Sequence, residues 1–443
     1  MWFENKIEDT HITVVGLGYV GLPEAIAFYE SGFKVTGLDI DKTVLEKISN
    51  RINPLLDEID ILIIPKKNER WMVTDNYEEV IPKSQIIIVA VPTPIDDNYS
   101  PDLNPLNNAL NSIFREIEDC QKVTIIVEST VYPGATKEIV DEVANKNNKR
   151  EHVDYMIAYC PERVNPGDSD HNVKKVARVI GCKDEVLGRK LAEMYSLITE
   201  SGCKYVGSIE VAEASKMIEN VQRDVDIALT NELAIVLSDF GLDIEEVFEA
   251  ADSKWNFHRH TPGIGVGGHC IPVDPYYYFS LAEKLGHTAS ISYNARKTNE
   301  NMPNYVFESI KRICKKENTK LEKILILGYA YKENLGDSRM TPIKPLSNKI
   351  IDAGIELVIW DPHVSSENNK LNNNILYDLN SLYSLNDVDM VILGTAHEVI
   401  LNLDWELLKL ISNNSLIYDG RRVLNNLNLE KIGWKYYGIG KPI

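Results

Sequence analysis

Two segments of the sequence, one near each end of the chain, share the same order of local patterns. The first is HITVVGLGYVG, a helical stretch and KVTGLDID; the second is EKILILGYAYKENLGDSR, a helical stretch and IELVIWDP. Each reads as an apolar strand, a glycine turn, a helix and a second strand that ends in Asp. Further apolar runs follow each segment, and strands that alternate with helices form right-handed crossovers and parallel sheets. The sequence therefore predicts an α/β fold with two Rossmann-like parallel-sheet domains.

The stretch between these two segments has a different pattern. Ser208 is a suitable N-cap, and apolar residues then recur at three- and four-residue spacing for about 30 residues, as far as Gly241. This predicts one long helix, a spine within a central helical domain and a plausible homodimer surface; the alternative is an internal helix of a single larger domain. We predict domains at residues 1–205, 206–305 and 306–443.

Charge and cysteine content exclude several classes of protein. The chain has 443 residues with 47 basic and 66 acidic side chains, a net charge of −19, which disfavours nucleic acid as a partner. The first residues lack a signal-peptide pattern, and no apolar run reaches the ~20 residues that a membrane span needs. The six cysteines form no CxxC pair. We expect reduced thiols, a cytoplasmic location, no membrane contact and no metal site.

The turn Gly16–Leu–Gly–Tyr–Val–Gly21 follows a predicted strand and opens a predicted helix. Gly16 permits a tight turn, Gly18 lets the backbone approach a pyrophosphate, and Gly21 allows close packing of helix and strand. Tyr19 and Val20 complete the turn. Asp39 ends the next strand, where a carboxylate accepts the ribose hydroxyls and repels a 2′-phosphate. The pattern predicts NAD as cofactor; the alternative is a glycine-rich turn without a ligand.

Two short polar motifs follow strands of the same predicted sheet. Pro92 and Thr93 lie in VPTP, and Ser129 and Thr130 lie in EST. Ligands of parallel sheets bind at the carboxyl ends of strands, so these residues are placed to contact cofactor or substrate. Taken singly, the hydroxyl residues are equally typical of helix caps.

The segment PGIGVGGHCIPVDP, residues 262–275, is the most unusual in the chain. Four glycines, together with prolines, surround Cys270, and Asp274 follows four residues after it. Such glycines, Gly267 among them, let the backbone close on a ligand. A thiol in this setting can attack a carbonyl carbon if a cation or a helix end lowers its pKa.

Three further segments carry candidate polar side chains. Lys216 and Asn220 share one face of the long helix, although such pairs are commonly only solvated. Lys332 and Arg339 lie where the second sheet domain would hold a phosphate, in a loop that is not GxGxxG, so side chains rather than backbone are expected to bind a nucleotide there. Glu162 follows another predicted strand.

Together these motifs resemble the UDP-glucose/GDP-mannose dehydrogenase family over nearly the whole chain. The resemblance rests on seven motifs in the same order: GLGYVG, VPTP, EST, CPE, AEASKMIEN, GVGGHCIPVDP and YKENLGDSR, followed by YDGRR. It implies oxidation of a nucleotide-sugar C6 alcohol to a carboxylate with two NAD and one water. It also implies a homodimer formed through the long central helix.

The resemblance assigns roles residue by residue. Cys270 matches the nucleophile that forms a thiohemiacetal and then a thioester with C6. Thr130 and Asp274 match the pair that orders the catalytic water, and Glu162 matches the carboxylate of thioester hydrolysis. Lys216 matches the lysine that stabilises the C6 oxyanion, and Asn220 its substrate-binding neighbour. Lys332 and Arg339 match basic residues near the UDP and the cofactor edge, and we assign Arg259 and Gly267 to substrate binding.

Two positions depart from the family pattern. Glu24 stands where the family usually has an apolar residue, and the sequence offers no explanation for it. Pro166 stands where UDP-glucose enzymes carry a second glutamate, and CPERVNPG, GGHCIPVDPYYY and SKWNF instead resemble the UDP-N-acetylhexosamine branch. We expect a UDP-N-acetylhexosamine 6-dehydrogenase that serves surface polysaccharide synthesis; SKWNF favours the galacto epimer over gluco and manno. The alternatives are a UDP-glucose or GDP-mannose dehydrogenase, a two-electron hydroxyacid dehydrogenase, and a non-catalytic NAD-binding protein.

Overall fold

The computed structural model describes residues 6–55, 62–96, 98–164, 168, 170–364 and 375–443. The strands are β1 His11–Val15, β2 Lys34–Leu38, β3 Trp71–Thr74, β4 Ile86–Val89, β5 Val123–Val127, β6 Tyr155–Tyr159, β7 Arg178–Ile180, β8 Cys203–Tyr205, β9 Lys323–Leu327, β10 Glu356–Trp360, β11 Ile375–Leu376, β12 Val388–Leu393, β13 Ser412–Asp419 and β14 Lys435–Gly438. The helices are α1 Gly21–Glu30, α2 Lys42–Ser49, α3 Tyr77–Val80, α4 Asn104–Glu116, α5 Ala135–Lys146, α6 Glu185–Tyr195, α7 Ile209–Phe240, α8 Ile244–Ala251, α9 Asp274–Lys284, α10 Ser290–Glu317, α11 Ile343–Asp352, α12 Leu379–Tyr383, α13 Glu398–Leu401 and α14 Trp405–Lys409.

Two six-stranded sheets have the same topology. The first has the order β3-β2-β1-β4-β5-β6 and the second β11-β10-β9-β12-β13-β14, with every pair parallel. In each sheet the strand order reverses beside the first strand, which is the doubly wound arrangement that opens a ligand crevice at the carboxyl ends. The prediction of two Rossmann-like domains from the repeated strand–turn–helix pattern is confirmed.

Contacts divide the chain into two units. One contains Met1–Glu219 with Tyr276–Thr288, and the other contains Asn220–Pro275 with Ala289–Ile443. The first unit buries its apolar core around β1, β4 and helices α1 and α6. In the second, helices α7, α8, α10 and α11 and one face of the sheet share a core, and α14 with the opposite face forms another. The three domain boundaries stay a prediction.

The long helix forms as its sequence pattern predicts. Helix α7 has 32 residues; the Ser208 hydroxyl accepts from the N–H of Val211 at 3.3 Å, and Gly241 follows with φ of +100°. A second long helix, α10, has 28 residues with Pro303 in its interior, and the sequence pattern did not predict it. Among the described residues, no helix is long and apolar enough to cross a membrane.

Candidate active site

The first glycine turn has the shape that a pyrophosphate-binding turn requires. Gly16 has φ of +92°, and a Cβ on Gly21 would lie 1.9 Å from the carbonyl oxygen of Gly16, so neither position accepts a side chain. Gly18 is exposed, with open space where a Cβ would stand. Tyr19 and Val20 are half-buried at the start of α1.

Asp39, after β2, is held by this turn yet keeps room for a ligand. Its Oδ2 accepts from the N–H of Leu17 at 2.7 Å, and its Oδ1 accepts from the N–H of Asp41 at 2.8 Å. A carboxylate offers about four acceptor positions, so two remain on a half-buried side chain. Two hydroxyl donors, such as those of a ribose, fit this remaining capacity.

The polar motifs after β4 and β5 line the same edge of the first sheet. The Ser129 hydroxyl donates to the carbonyl of Val91 at 2.6 Å, and Tyr277 donates to the carbonyl of Thr93 at 2.9 Å. Thr93 and Thr130 are half-buried, and Pro92 is exposed. The helix-cap alternative does not apply, since Leu103 and Gly134 occupy the N-cap positions of α4 and α5.

Glu162 is buried after β6 and hydrogen-bonded through both oxygens. Oε1 accepts from the N–H groups of Arg163 and Val164 at 2.6 and 2.7 Å, and Oε2 accepts from Nη2 of Arg178 at 2.5 Å. Arg178 also approaches Glu24, at 3.4 Å. Pro166, the second departure from the family pattern, lies outside the described residues.

On α7, Lys216 is half-buried in the first unit, whereas Asn220 belongs to the second. Asn220 Nδ2 donates to Oδ2 of Asp274 at 2.5 Å. Asp274 is 1% exposed and is the first residue of α9. Of the sequence-predicted catalytic residues, these two are joined directly.

Cys270 is half-buried in the loop that leads into α9. Its carbonyl accepts from the N–H groups of Val273 and Asp274 at 3.0 and 2.8 Å, so a hydrogen-bonded turn connects the thiol-bearing residue to Asp274. The loop before it is fixed as well, because the N–H of Gly268 donates to the carbonyl of Arg339 at 3.2 Å.

The glycines before Cys270 allow close packing within the second unit. A Cβ on Gly267 would lie 2.7 Å from Cβ of Tyr331 and 2.8 Å from Cδ of Pro342, and a Cβ on Gly268 would lie 2.7 Å from the ring of Tyr331. Gly267 and Gly268 are therefore required by the chain's own packing, which the sequence pattern did not distinguish from close approach to a ligand. Substrate binding by Gly267 stays a prediction.

The basic residues predicted for the second unit have acidic neighbours. The guanidinium of Arg339 donates from Nε and Nη2 to the carboxylate oxygens of Asp337 at 2.6–3.0 Å. Arg259 pairs with Glu245 and, at 2.9 Å, with Asp252. Lys332 is half-buried in the loop after β9. Their predicted roles toward cofactor and substrate stay predictions.

Asp361 follows β10 as Asp39 follows β2, but it is fully buried and every acceptor position of its carboxylate is occupied. Oδ2 accepts from the N–H groups of Tyr329 and Ala330 and from Nε2 of His397, at 2.6, 2.9 and 3.1 Å. Oδ1 accepts from the N–H groups of the two residues at 363 and 364, at 2.8 and 3.0 Å. Burial alone would raise the pKa of Asp361, but the hydrogen bonds from His397 and the backbone hold it below its ordinary value. This carboxylate has no acceptor position left for a ribose.

The two units divide the predicted site residues between them. The glycine turn, Asp39, the VPTP and EST residues, Glu162 and Lys216 lie in the first unit; Asn220, Arg259, Gly267, Cys270, Asp274, Lys332 and Arg339 lie in the second. No sequence motif points to Arg178, whose partners Glu24 and Glu162 lie 154 and 16 residues away along the chain. The same holds for Glu213, which accepts from the N–H groups of Gly134 and Thr136 at the start of α5.

Comparison with known proteins finds relatives over nearly the whole chain. Models of the UDP-glucose/GDP-mannose dehydrogenase family match residues 10–199 (NAD binding domain), 210–301 (central domain) and 325–426 (UDP binding domain). The chain is 35% identical over 431 residues to a UDP-N-acetyl-D-glucosamine 6-dehydrogenase of Pseudomonas aeruginosa, covering 95% of this chain and 98% of that one. It is 34% identical over 438 residues to a UDP-N-acetyl-D-mannosamine dehydrogenase of Methanocaldococcus jannaschii, covering 97% and 96%.

A solved structure has the same fold throughout. The UDP-D-ManNAc dehydrogenase of Pyrococcus horikoshii superposes with a TM-score of 0.83 and 30% identity, covering 98% of this chain and 99% of that chain. The NAD-binding match coincides with the sheet that carries the open glycine turn and the half-buried Asp39, so NAD is the cofactor. The chain therefore belongs to the UDP-glucose/GDP-mannose dehydrogenase family and is an NAD-dependent nucleotide-sugar 6-dehydrogenase.

Proposed function

We propose that this enzyme oxidises the C6 alcohol of a UDP-N-acetylhexosamine to the carboxylate by four electrons, with Cys270 as the nucleophile. The observation that carries the proposal is the hydrogen-bonded turn from Cys270 to Asp274, with Asn220 held on the Asp274 carboxylate at 2.5 Å. A backbone turn thus connects Cys270 to a buried carboxylate, which in turn accepts from an amide on α7.

The proposed reaction balances with one sugar, two NAD⁺ and one water. NAD, when bound, accepts one hydride in each of the two oxidation steps. Loss of a hydride and a proton from the alcohol gives the C6 aldehyde, and the thiolate of Cys270 adds to its carbonyl carbon. Loss of the second hydride gives a thioester, and water cleaves it to the carboxylate and the thiol.

The chain's own residues have separate tasks in this scheme. Cys270 retains the aldehyde, which would otherwise dissociate or be reduced again. Lys216 stabilises the C6 oxyanion, an interaction of a kind that is worth about 10²–10³ in rate. Asp274 and Thr130 order the hydrolytic water, Glu162 assists its attack, and Asn220 orients Asp274. Lys332, Arg259 and Gly267 bind the nucleotide sugar, and Arg339 lies at the cofactor edge.

The N-acetylhexosamine assignment is supported by the relatives' names. The Pseudomonas and Methanocaldococcus relatives are named for the gluco and manno epimers. UDP-glucose and GDP-mannose are the alternative substrates. We further propose that the uronic acid product serves surface polysaccharide synthesis; the cytoplasmic location stays a prediction.

The decisive assay counts NADH per sugar for purified enzyme against UDP-GalNAc, UDP-GlcNAc, UDP-ManNAc, UDP-glucose and GDP-mannose. We expect two NADH per UDP-N-acetylhexosamine, and loss of net oxidation in Cys270→Ala. Cys120→Ser is the matched control, because Cys120 is an exposed thiol that should be dispensable. One NADH per sugar, or an active Cys270→Ala, would favour a two-electron dehydrogenase. No NADH with any sugar would favour a non-catalytic NAD-binding protein.

A homodimer through α7 is supported by an apolar stripe. Val211, Ile218, Leu229 and Val236 are each more than half exposed, and their spacings of 7, 11 and 7 residues place them on one side of the helix. We expect Leu229→Glu with Val236→Glu to halve the mass measured by light scattering. Ile351→Glu, an exposed apolar position on α11, is the control. An unchanged mass would place the interface elsewhere.

A further inference from the structure

Three carboxyl groups surround one guanidinium in the interior of the first unit. Glu24 comes from α1, Glu128 follows β5, Glu162 follows β6, and Arg178 begins β7. All four are at least 93% buried. One oxygen of each carboxyl lies within 4.8 Å of one oxygen of the others. Full ionisation would leave a net charge of −2 in this interior, which is costly because burial penalises unpaired charge.

The contacts of the three carboxyls differ. Arg178 donates from Nη2 to Glu162 at 2.5 Å, and its Nη1 lies 3.4 Å from Glu24 and 3.5 Å from Glu128. The Tyr195 hydroxyl donates to Oε1 of Glu128 at 2.7 Å. The remaining oxygens of Glu24 and Glu128 are buried without a hydrogen-bond partner, and an oxygen of each carboxyl lies within 4.8 Å of one of the other. A hydrogen bond between two carboxyls requires a proton, because ionised carboxylates have no donor.

We propose that Glu24 is a positioning residue: it shares one proton with Glu128, and its remaining negative charge holds Arg178 in place against Glu162. Glu162 then has Oε1 fixed by two backbone N–H groups and Oε2 fixed by Arg178, with one acceptor position left for a reacting water. This rests on the proposed function of Glu162 in hydrolysis. It also accounts for an acidic residue at position 24, where the family pattern is apolar.

The titratable groups around the pair are consistent with a shared proton. Burial raises the pKa of Glu24 and raises that of Glu128 well above its ordinary value. Burial likewise raises the pKa of Tyr195 and of Cys160, the other titratable neighbours, so both stay neutral. Arg178 is then the single cation that faces the carboxyls in the described part of this cluster.

The test compares Glu24→Gln with Glu24→Asp in the full-length enzyme. Glu24→Gln keeps the shape and, because burial keeps Glu128 protonated, removes the negative charge that holds Arg178 against Glu162. A guanidinium that is held less firmly stabilises the ionised site less, so we expect the acid limb of the kcat profile to move up by about one pH unit and Glu24→Asp to restore it. Asp154→Asn removes a buried carboxylate that is bound to the N–H groups of Cys120 and Arg150 instead, and should leave the limb in place.

Infrared spectroscopy gives a readout that does not depend on activity. We expect a protonated-carboxyl band in the wild type at pH 8 that changes in both Glu24→Gln and Glu128→Gln. An unmoved acid limb in a folded, active Glu24→Gln variant would overturn the positioning role, and the absence of the band would overturn the shared proton. If the wild type oxidised no nucleotide sugar, the proposed function would fall and the positioning role with it, while the band would still decide the shared proton.

Discussion

Replacing Asp361 and Asp39 with Asn, one at a time, should have opposite consequences although the two residues end equivalent strands. Asp361 accepts five hydrogen bonds within the protein, whereas Asp39 accepts two. An Asn side chain keeps one acceptor oxygen and replaces the other with an NH₂ donor. Asp361→Asn should therefore lower the stability of the fold, whereas Asp39→Asn should lower the affinity for the cofactor.

The cost at position 361 follows from the number of donors left without an acceptor. In Asp361→Asn the amide oxygen can take the place of Oδ2, which accepts from three donors. The N–H groups of His363 and Val364 then face an NH₂ group. Each buried donor without a partner costs about 1–3 kcal/mol, so we expect a loss of about 2–6 kcal/mol in the free energy of unfolding. The KM for NAD should stay within about twofold, because this carboxylate has no position for the cofactor.

At position 39 the expected loss is in cofactor affinity. Leu17 and Asp41 can still donate to an amide oxygen in part, on a half-buried side chain that can rotate toward solvent. A hydrogen bond to a charged acceptor is worth about 1.5–3 kcal/mol, so the KM for NAD should rise about 10- to 100-fold. The free energy of unfolding should fall by less than about 1 kcal/mol.

Urea unfolding followed by circular dichroism, with NAD titrations of the initial rate, separates the two outcomes. Since the pKa of Asp361 is held below its ordinary value, its contribution to stability is present above about pH 4 and is lost as the pH falls below that. The measurement is therefore made at neutral pH. A loss below 1 kcal/mol in Asp361→Asn, or a raised KM for NAD in that variant, would refute the reasoning.

Two further predictions concern the second unit. Asn220→Ala should lower kcat about 10- to 100-fold because Asp274 loses an amide donor at 2.5 Å, whereas a change confined to KM would contradict this. Burial raises the pKa of Asp224 to about 6 despite Arg296, so the folded state holds more protons than the unfolded state between about pH 4 and 6, and stability falls as the pH rises. In urea unfolding, the free energy of unfolding of Asp224→Asn should fall by about 2–3 kcal/mol less than that of the wild type over this pH range. If the two free energies differed by the same amount at every pH, the prediction would be wrong.

The fold was predictable because its signals are local and repeated. Each parallel strand at the centre of a sheet is a largely apolar run. Ser208 marks the beginning of α7 and Gly241 marks its end. The strands that escaped prediction are short or lie at edges: β3 and β14 have four residues each, β7 and β8 three each, and β11 two. Helix α10 was missed because its apolar residues are spread among many polar ones and Pro303 interrupts the pattern.

The site was predictable only in part, since several of its contacts join distant segments. Separate motifs indicate Asn220 and Asp274, and only the structure shows the hydrogen bond between them. Arg178 has no motif of its own, and its proposed position depends on Glu24, which is 154 residues away. No spacing rule could connect these two residues, but one signal was available: an acidic residue at an otherwise apolar position of a buried helix needs a cationic partner.

The contrast between Asp39 and Asp361 shows why an equivalent position does not imply an equivalent role. Both follow the second strand of the same sheet topology, and both bind the N–H groups of the preceding glycine turn. What differs is His397, which follows β12 and points Nε2 at the carboxylate while Nδ1 accepts from the N–H of Asn334. This ring takes up acceptor capacity of Asp361 and also binds the loop that carries Lys332. The second sheet therefore lacks the free carboxylate positions of a dinucleotide site, which favours the prediction that side chains of the loops hold a nucleotide there.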